Sequence, residues 1–519
     1  MEQMKLIAKT FQGLEEVLAK ELSNLGAENI EKGRRMVAFT GDKELLYRAN
    51  FSLRTAIRIL KPIATFNAST ADEVYDAVKA INWENFLDLE TSFAVDSVVY
   101  SEEFRHSKFV AYKVKDAIVD YFREKTGKRP NICVTNPDIK FNMHIAETEC
   151  TLSLDSSGES LHKRGYRIAS VESPINEVLA AGIIMMTGWN GKCDLIDPMC
   201  GSGTIAIEAA LIARNISPGV FRTKYAFENW KDFDKDLFDS IYNDDSAERP
   251  FEHKIYAYDI DKNAIRIAQE NIKSAGVTNE ITAVAQSITQ FKQPTEKSII
   301  ITNPPYGERI SVPDLLDLYR KIGEKLKHQF IGGEAWLISY HEETFDQIGL
   351  KPSVKIPLFN GSLDCELRKY QIFDGKLGDF RSQGNILKTD EERERNAQKR
   401  RLKPHSDEKS TFNREDDKES EIPYYMMRRH REFIQNQQRE NRNNRERQYD
   451  NDEPRSRQDY SRDHRNFVSS HDNRNKKENY GERGNRKFDR PFDKGRKPQG
   501  GKFRGDKPKQ RFSNRYDED

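Results

Sequence analysis

From Lys192 onward the chain alternates short apolar runs with amphipathic stretches, a pattern that restricts it to a parallel sheet with helices on its faces. Strands are expected at Cys193–Ile196, Lys254–Tyr258, Glu280–Ala285, Ser298–Thr302, Glu334–Ser339, Ser353–Pro357 and Arg368–Phe373. Helices are expected at Thr204–Arg214, Lys262–Ala275 and Pro313–Phe330. An aromatic-rich insertion, Asn215–Lys254, interrupts the alternation. Upstream lie two smaller α/β units. The first pairs strands Lys5–Lys9 and Met36–Thr40 with helices Gly13–Leu25 and Asp42–Ser52. The second combines helices Asp72–Ile81 and Tyr112–Lys125 with strands Phe93–Tyr100 and Ile132–Thr135, and with a hairpin, Ile139–Ile145 and Glu149–Ser153. A basic stretch, His162–Arg167, leads into a helix at Pro174–Gly188. The expected division is therefore 1–65, 66–155, a linker and helix at 156–191, a sheet domain at 192–380, and a tail at 381–519.

Charge supports the last border. The 519 residues carry a net charge of only +1, but Arg381–Asp519 holds 38 Lys/Arg against 28 Asp/Glu, leaving −9 over residues 1–380. The tail has 8 Ile, Leu, Val or Met in 139 residues, too few to offset the entropy of ordering it, so a disordered basic tail is expected. The five cysteines are scattered without CxxC spacing, which argues against a disulfide scaffold and a zinc ribbon, and no metal site is expected. No run resembles a signal peptide or a membrane span, which points to a soluble, cytoplasmic protein.

Three motifs carry chemistry. Asp194–Ala206, DLIDPMCGSGTIA, reads as a strand, a Gly-rich turn and a helix start, where backbone can approach a nucleotide closely. It satisfies G-x-G-x-x-G/A, so a dinucleotide site is one reading; no Lys follows, so it is not a Walker A loop. At the end of the next strand, Asp259 is placed to accept from ribose hydroxyls, while Asp261 is a favoured N-cap for the helix beginning at Lys262. The third motif, Asn303-Pro304-Pro305-Tyr306, follows an apolar strand. Two prolines fix the backbone and remove two donors, leaving carbonyl acceptors beside an Asn amide oxygen, with Tyr306 as a stacking surface. Such a rigid acceptor cluster suits a planar NH2 group. Cys200 reads as a small packing residue.

Together these motifs resemble the class I S-adenosylmethionine-dependent RNA methyltransferases with an N-terminal THUMP domain. The likeness is greatest to the N-terminal half of the bifunctional large-subunit rRNA guanine-N2 methyltransferases. It covers about residues 1–375 and includes LHKRGYR at 161–167, SPINEVLAAG at 173–182, DPMCGSGT at 197–204, NPPYGERI at 303–310 and NGSLDCELRKY at 360–370. The resemblance implies a ferredoxin-like domain, a THUMP domain that binds RNA, and a Rossmann-like methyltransferase domain. By position it places S-adenosylmethionine on Asp197, Gly201, Gly203 and Thr204, with Asp259 at the ribose and Ser287 near the adenine. It places the target base on Asn303, Pro304, Pro305 and Tyr306. The implied partner is large-subunit rRNA or a pre-ribosomal particle, with no membrane. The second methyltransferase half of the bifunctional enzymes has no counterpart here, so its activity is not expected. An adenine-N6 methyltransferase would use the same NPPY loop, an NAD enzyme would leave that loop without a role, and a non-catalytic ribosome-assembly factor would need neither loop intact. His162–Arg167 and the tail are the candidate basic contacts to RNA.

Overall fold

The computed structural model describes residues 2–294, 297–307 and 312–375, together with Ser382. The expected tail, 381–519, therefore lies outside the described residues except for Ser382, as do Glu308, Arg309 and Ile310 at the end of the NPPYGERI run.

The first sheet contains β1 (Met4–Lys9), β2 (Glu28–Gly33), β3 (Met36–Gly41), β4 (Arg58–Asn67), β5 (Ser92–Tyr100), β6 (Asn131–Ile132), β7 (Ile139–Ala146) and β8 (Glu149–Asp155). Their order is β2-β3-β1-β4-β8-β7-β5-β6. Strand β4 runs across the expected border at 65/66. It pairs with β1 through Ile7–Leu60 and with β8 from Leu60–Asp155 to Asn67–Glu149, so two α/β units share one eight-stranded sheet. The ladder with β8 shifts register between Pro62 and Ala64, the irregular kind of site where a strand tolerates proline. That proline hides β4 in the sequence. β2 is hidden too, since ENIEKG has no apolar alternation and lies on an exposed edge. β6 is only two residues long, shorter than the expected Ile132–Thr135.

The second sheet contains β9 (Asp194–Asp197), β10 (Ile255–Asp259), β11 (Ile281–Ala285), β12 (Ser298–Thr302), β13 (Glu334–Ser339), β14 (Val354–Asn360) and β15 (Leu363–Gln371), in the order β11-β10-β9-β12-β13-β15-β14. β9 to β13 are parallel, whereas β15 and β14 close the edge antiparallel. β9 and β12 are buried at every position, as expected of central strands covered on both faces. The winding reverses between them. In such sheets the crevice beyond the carboxyl ends at that switch point is where ligands bind.

The two sheets are not independent modules. Leu14, from the first turn after β1, belongs to the core of the second sheet. Conversely, Tyr225, Phe227, Trp230, Phe238 and Ile241 of the aromatic insertion complete the core of the first. Tyr47 stacks on Phe227 with ring centroids 4.4 Å apart. Beneath them, Arg54 donates to the carbonyls of Leu211 and Ile216, the latter at 2.8 Å, tying the N-terminal half to the helix Thr204–Ala213. No described helix is long and apolar enough to cross a membrane.

Candidate active site

A cavity of about 820 Å3 opens at the carboxyl ends of β9, β10 and β12. Asp197, Gly201, Thr204, Asp259, Ser287, Asn303, Pro304, Pro305 and Tyr306 all line it. The two motifs, a hundred residues apart in sequence, are thereby brought to one space.

The Gly-rich turn is held from three sides. Gly201 adopts φ +53°, and its N–H donates to Asp259 Oδ2 at 2.9 Å, while Asp259 Oδ1 accepts from Asp261 N–H at 2.9 Å. Asp261 in turn caps its helix by accepting from Asn263 N–H at 2.8 Å, as expected. Asp259 therefore positions the turn as well as facing the cavity. Gly203 does not line the cavity; a Cβ there would stand 3.2 Å from Ala268 Cβ, so this glycine serves close packing of two helices. Buried Asn271 supplies the third support, accepting from Ile168 and Ala169 N–H and donating to the Ser202 carbonyl at 3.1 Å.

Asp197 bridges the motifs. Its Oδ1 accepts from Thr302 Oγ1 at 2.8 Å, immediately before Asn303, and from Met199 N–H. Burial, with the charge of Asp259 as a lesser cause, pushes its carboxyl up to about 7. Burial also pushes the Cys200 thiol well up, which keeps it protonated and in the packing role expected of it.

In the target loop, Pro304 is buried and Pro305 exposed. Tyr306 donates from its hydroxyl to Asn303 Oδ1 at 2.5 Å and accepts from Asn360 Nδ2 at 3.3 Å. Its ring meets Tyr340 edge-on, with centroids 5.4 Å apart. Tyr306 is thus a clamp on Asn303 as well as a wall. One lone pair of the Asn303 amide oxygen is taken, and the other remains for a ligand. Ser287 lines the cavity with its hydroxyl engaged at Thr289, where it caps the short turn Ile288–Gln290. Ile260 and Ile288 add apolar walls.

The basic stretch corrects an expectation. Arg164 is not a surface contact but is buried against Glu208 (Nε to Oε1, 3.5 Å), with Tyr166 donating to the same carboxylate at 2.9 Å. Arg167 pairs with Glu177 and reaches the Ser202 and Thr204 hydroxyls. Within His162–Arg167 only Lys163 and Gly165 are exposed.

An exposed basic groove exists elsewhere. A concavity of about 910 Å3 on the first sheet is lined by Lys9, Arg34, Arg35, Arg58 and Lys108, with one acidic residue, Asp96. Asp96 is paired to Lys140 at 2.6 Å and Arg58 to Asp155. Burial, and then the charge of Arg35, hold the Lys9 ammonium below its usual range. Tyr100, 56% exposed, stands beside His144 at its rim. Arg167, Asn271 and Asn360, and the groove itself, are what sequence reasoning missed.

A doubly wound sheet with an acidic strand end, a Gly-rich turn and an amide–proline acceptor loop in one crevice defines a class I methyltransferase. Family models match three consecutive stretches: an RlmL ferredoxin-like domain over residues 5–60, a THUMP domain over 68–155, and an RMKL-like methyltransferase domain over 164–369. A Synechocystis protein provisionally named an RNA methyltransferase is 38% identical over 369 residues, covering 70% of this chain and 96% of its own length. The ribosomal RNA large subunit methyltransferase K/L of Syntrophotalea carbinolica is 37% identical over 388 residues, 72% of this chain and 54% of that protein. The chain thus spans about half the length of the K/L relatives it matches. Among solved structures, a methyltransferase-like protein complexed with SAH is 30% identical, with TM-score 0.66 and coverage of 72% of this chain and 100% of that one. A Listeria monocytogenes protein described as a predicted N6-adenine-specific DNA methylase is 32% identical, with TM-score 0.64, covering 71% of this chain and 96% of that one. The chain belongs to the THUMP-containing, RMKL-like methyltransferase family.

Proposed function

We propose that this chain transfers a methyl group from S-adenosylmethionine to an exocyclic amine of an RNA base, with guanine N2 of large-subunit rRNA as the favoured target. The observation that carries this reading is the single cavity shared by Asp197, Gly201 and Asp259 on one side and Asn303–Tyr306 on the other. The residues fit the cofactor. Buried Asp197 suits an ammonium group, the open face at Gly201 would admit the amino-acid chain, Asp259 suits a ribose, and Ile260 and Ile288 would offer apolar walls to a flat ring near Ser287. When bound, the cofactor supplies an electrophilic methyl group on a sulfonium.

The protein's own work is positioning. An exocyclic amine is a poor nucleophile because its lone pair is delocalised into the ring. Asn303 Oδ1 and the Pro304 carbonyl accept its two N–H groups and favour the pyramidal, nucleophilic form. Tyr306 fixes the orientation of the Asn303 oxygen beforehand, so little reorganisation remains at the moment of reaction. No covalent cysteine is required. A base stacked in RNA must first be splayed out to reach this loop. We assign docking of that RNA to residues 1–155, whose basic groove carries exposed Arg34, Arg35 and Lys108.

A second reading, adenine N6, is favoured by the description of the Listeria relative and by the chemistry of the loop, since two acceptors grip any NH2 group alike. The test is incubation of the full chain with methyl-labelled S-adenosylmethionine and unmodified large-subunit rRNA, followed by nucleoside mass spectrometry. N2-methylguanosine supports the favoured reading, N6-methyladenosine supports the second, and no incorporation into RNA overturns both.

A further inference from the structure

We propose that Arg167 is a positioning residue that sets the Ser202 and Thr204 hydroxyls as donors for the carboxylate at the cofactor's amino-acid end; this rests on the S-adenosylmethionine reading above. Each nitrogen of the Arg167 guanidinium is engaged: Nε donates to Glu177 Oε1 at 2.6 Å, Nη1 to Ser202 Oγ at 2.8 Å and Nη2 to Thr204 Oγ1 at 2.8 Å. A hydroxyl has one proton and two lone pairs. Because both oxygens accept from the fork, both protons must turn away from it. Among the described hydrogen bonds neither hydroxyl donates to a protein acceptor, although both residues are 2% exposed and line the cavity. A buried O–H without an acceptor is costly, so the arrangement is complete only when an acceptor occupies the cavity.

The sign of that acceptor follows from the surroundings. Glu177 neutralises Arg167, so the cavity receives two oriented O–H dipoles rather than a net charge. The helix Thr204–Ala213 begins at the same place, and its N-cap, Gly203, offers no side-chain acceptor for the first amides, which add to the positive potential. An acceptor-only anion satisfies all of these donors. Asp197 and Asp259 line the same cavity, so an anion alone would be repelled. A zwitterion, with its ammonium toward Asp197 and its carboxylate toward Ser202 and Thr204, meets both. Lysine keeps the charge but lacks the planar fork that fixes both hydroxyls and Glu177 in one geometry.

The experiment is calorimetry on the full chain with S-adenosylmethionine and with its decarboxylated analogue. Wild-type protein should prefer the carboxylate-bearing ligand. In Arg167→Lys, and separately in Ser202→Ala with Thr204→Val, that preference should fall by roughly tenfold or more, the scale of hydrogen bonds to a charged group. Affinity for the decarboxylated analogue should hold within about threefold. Arg167→Lys placed on the double hydroxyl variant should add nothing further, because its effect runs through those oxygens. Equal weakening of both ligands in Arg167→Lys would reduce the residue to a structural prop, and an unchanged preference in either variant would also overturn the proposal. Wild-type protein that binds neither ligand would instead remove the cofactor reading on which the proposal rests. If Arg167→Lys melts early, the hydroxyl variant carries the same comparison.

Discussion

Arg164 and Arg167 sit three positions apart and are walled in by protein, whereas Lys9, Arg34, Arg35 and Lys108 come from three separate segments and line an open groove. The first pair has a partner for nearly every donor: Glu208, Glu177, two carbonyls and two hydroxyls. In the groove, Asp96 is already bound to Lys140. Identical charges therefore serve opposite ends. Where the fold meets the cation, it ties buried elements together, Arg164 at Glu208 and Arg167 at the Gly-rich turn; where the fold leaves positive charge unmet, it invites a polyanion.

Breaking the buried side of this contrast should have the largest effect. Arg164→Ala leaves the fully buried Glu208 without its paired guanidinium, with Tyr166 as hydrogen-bond donor and Arg54 as the remaining cation acting on it, and losing one partner of a buried pair costs about 3–5 kcal/mol. A thermal or urea denaturation series against wild type checks this. A loss below about 1 kcal/mol would mean that the buried pair is no more valuable than an exposed one, and the contrast would collapse.

Asn303→Ala tests whether the cavity's acceptors matter beyond structure. It should leave cofactor affinity in place and lower turnover by about two orders of magnitude, roughly 3 kcal/mol, the scale of one preorganised polar group. Tyr306→Phe keeps the ring but frees the Asn303 oxygen and strands Asn360 Nδ2, so it should show part of the same loss. Single-turnover rates at saturating cofactor separate these effects, and full activity in Asn303→Ala would assign the amine to other groups.

The open side should respond to salt rather than to heat. Replacing Arg34, Arg35 and Lys108 with Gln is expected to leave melting nearly unchanged, because all three are exposed. RNA affinity should drop, and the slope of log K against log salt should become shallower by roughly 0.7–0.9 for each phosphate that is no longer neutralised. Filter binding across a salt series reads this directly; an unaltered slope would move RNA docking away from the groove.

Much of the catalytic half is legible in sequence because its signals are local. The strand and turn at Asp194–Ala206, the cap at Asp261 and the NPPY loop each fall within one strand–turn unit, and the sheet's switch point then assembles them. What escapes is what depends on distant partners. Arg167 finds Ser202 thirty-five residues away, Asn271 finds Ala169 at 102, and Asn360 finds Tyr306 at 54. A run such as HKRGYR carries no mark of whether Glu208 and Glu177 will face it, so it reads as a surface patch. The groove has the converse difficulty, being assembled from cations that no single stretch of sequence contains.

Asp197 is the case where burial leaves a charge unmet inside the catalytic half itself, and pH should expose it. Its carboxyl is held up at about 7 chiefly by burial, and its hydrogen-bond partners, Thr302 Oγ1 and Met199 N–H, are neutral. The charge acting on it is that of Asp259, of the wrong sign, and the Cys200 thiol stays protonated. With the folded pKa above the unfolded one, this group's contribution to stability is complete below about pH 4 and is lost as pH rises through 7. Cofactor binding should run the other way. An ammonium seated at Asp197 requires the ionised form, so affinity should rise about tenfold between pH 6 and 8, the consequence of one proton released near pH 7. Calorimetry in buffers of different ionisation enthalpy would report that proton directly. Asp197→Asn should bind more weakly and flatten the profile without unfolding the protein, since the amide can still accept from Thr302. A wild-type affinity independent of pH over this range, with no proton released, would place the ammonium elsewhere and leave Asp197 as a bridge between the two loops alone.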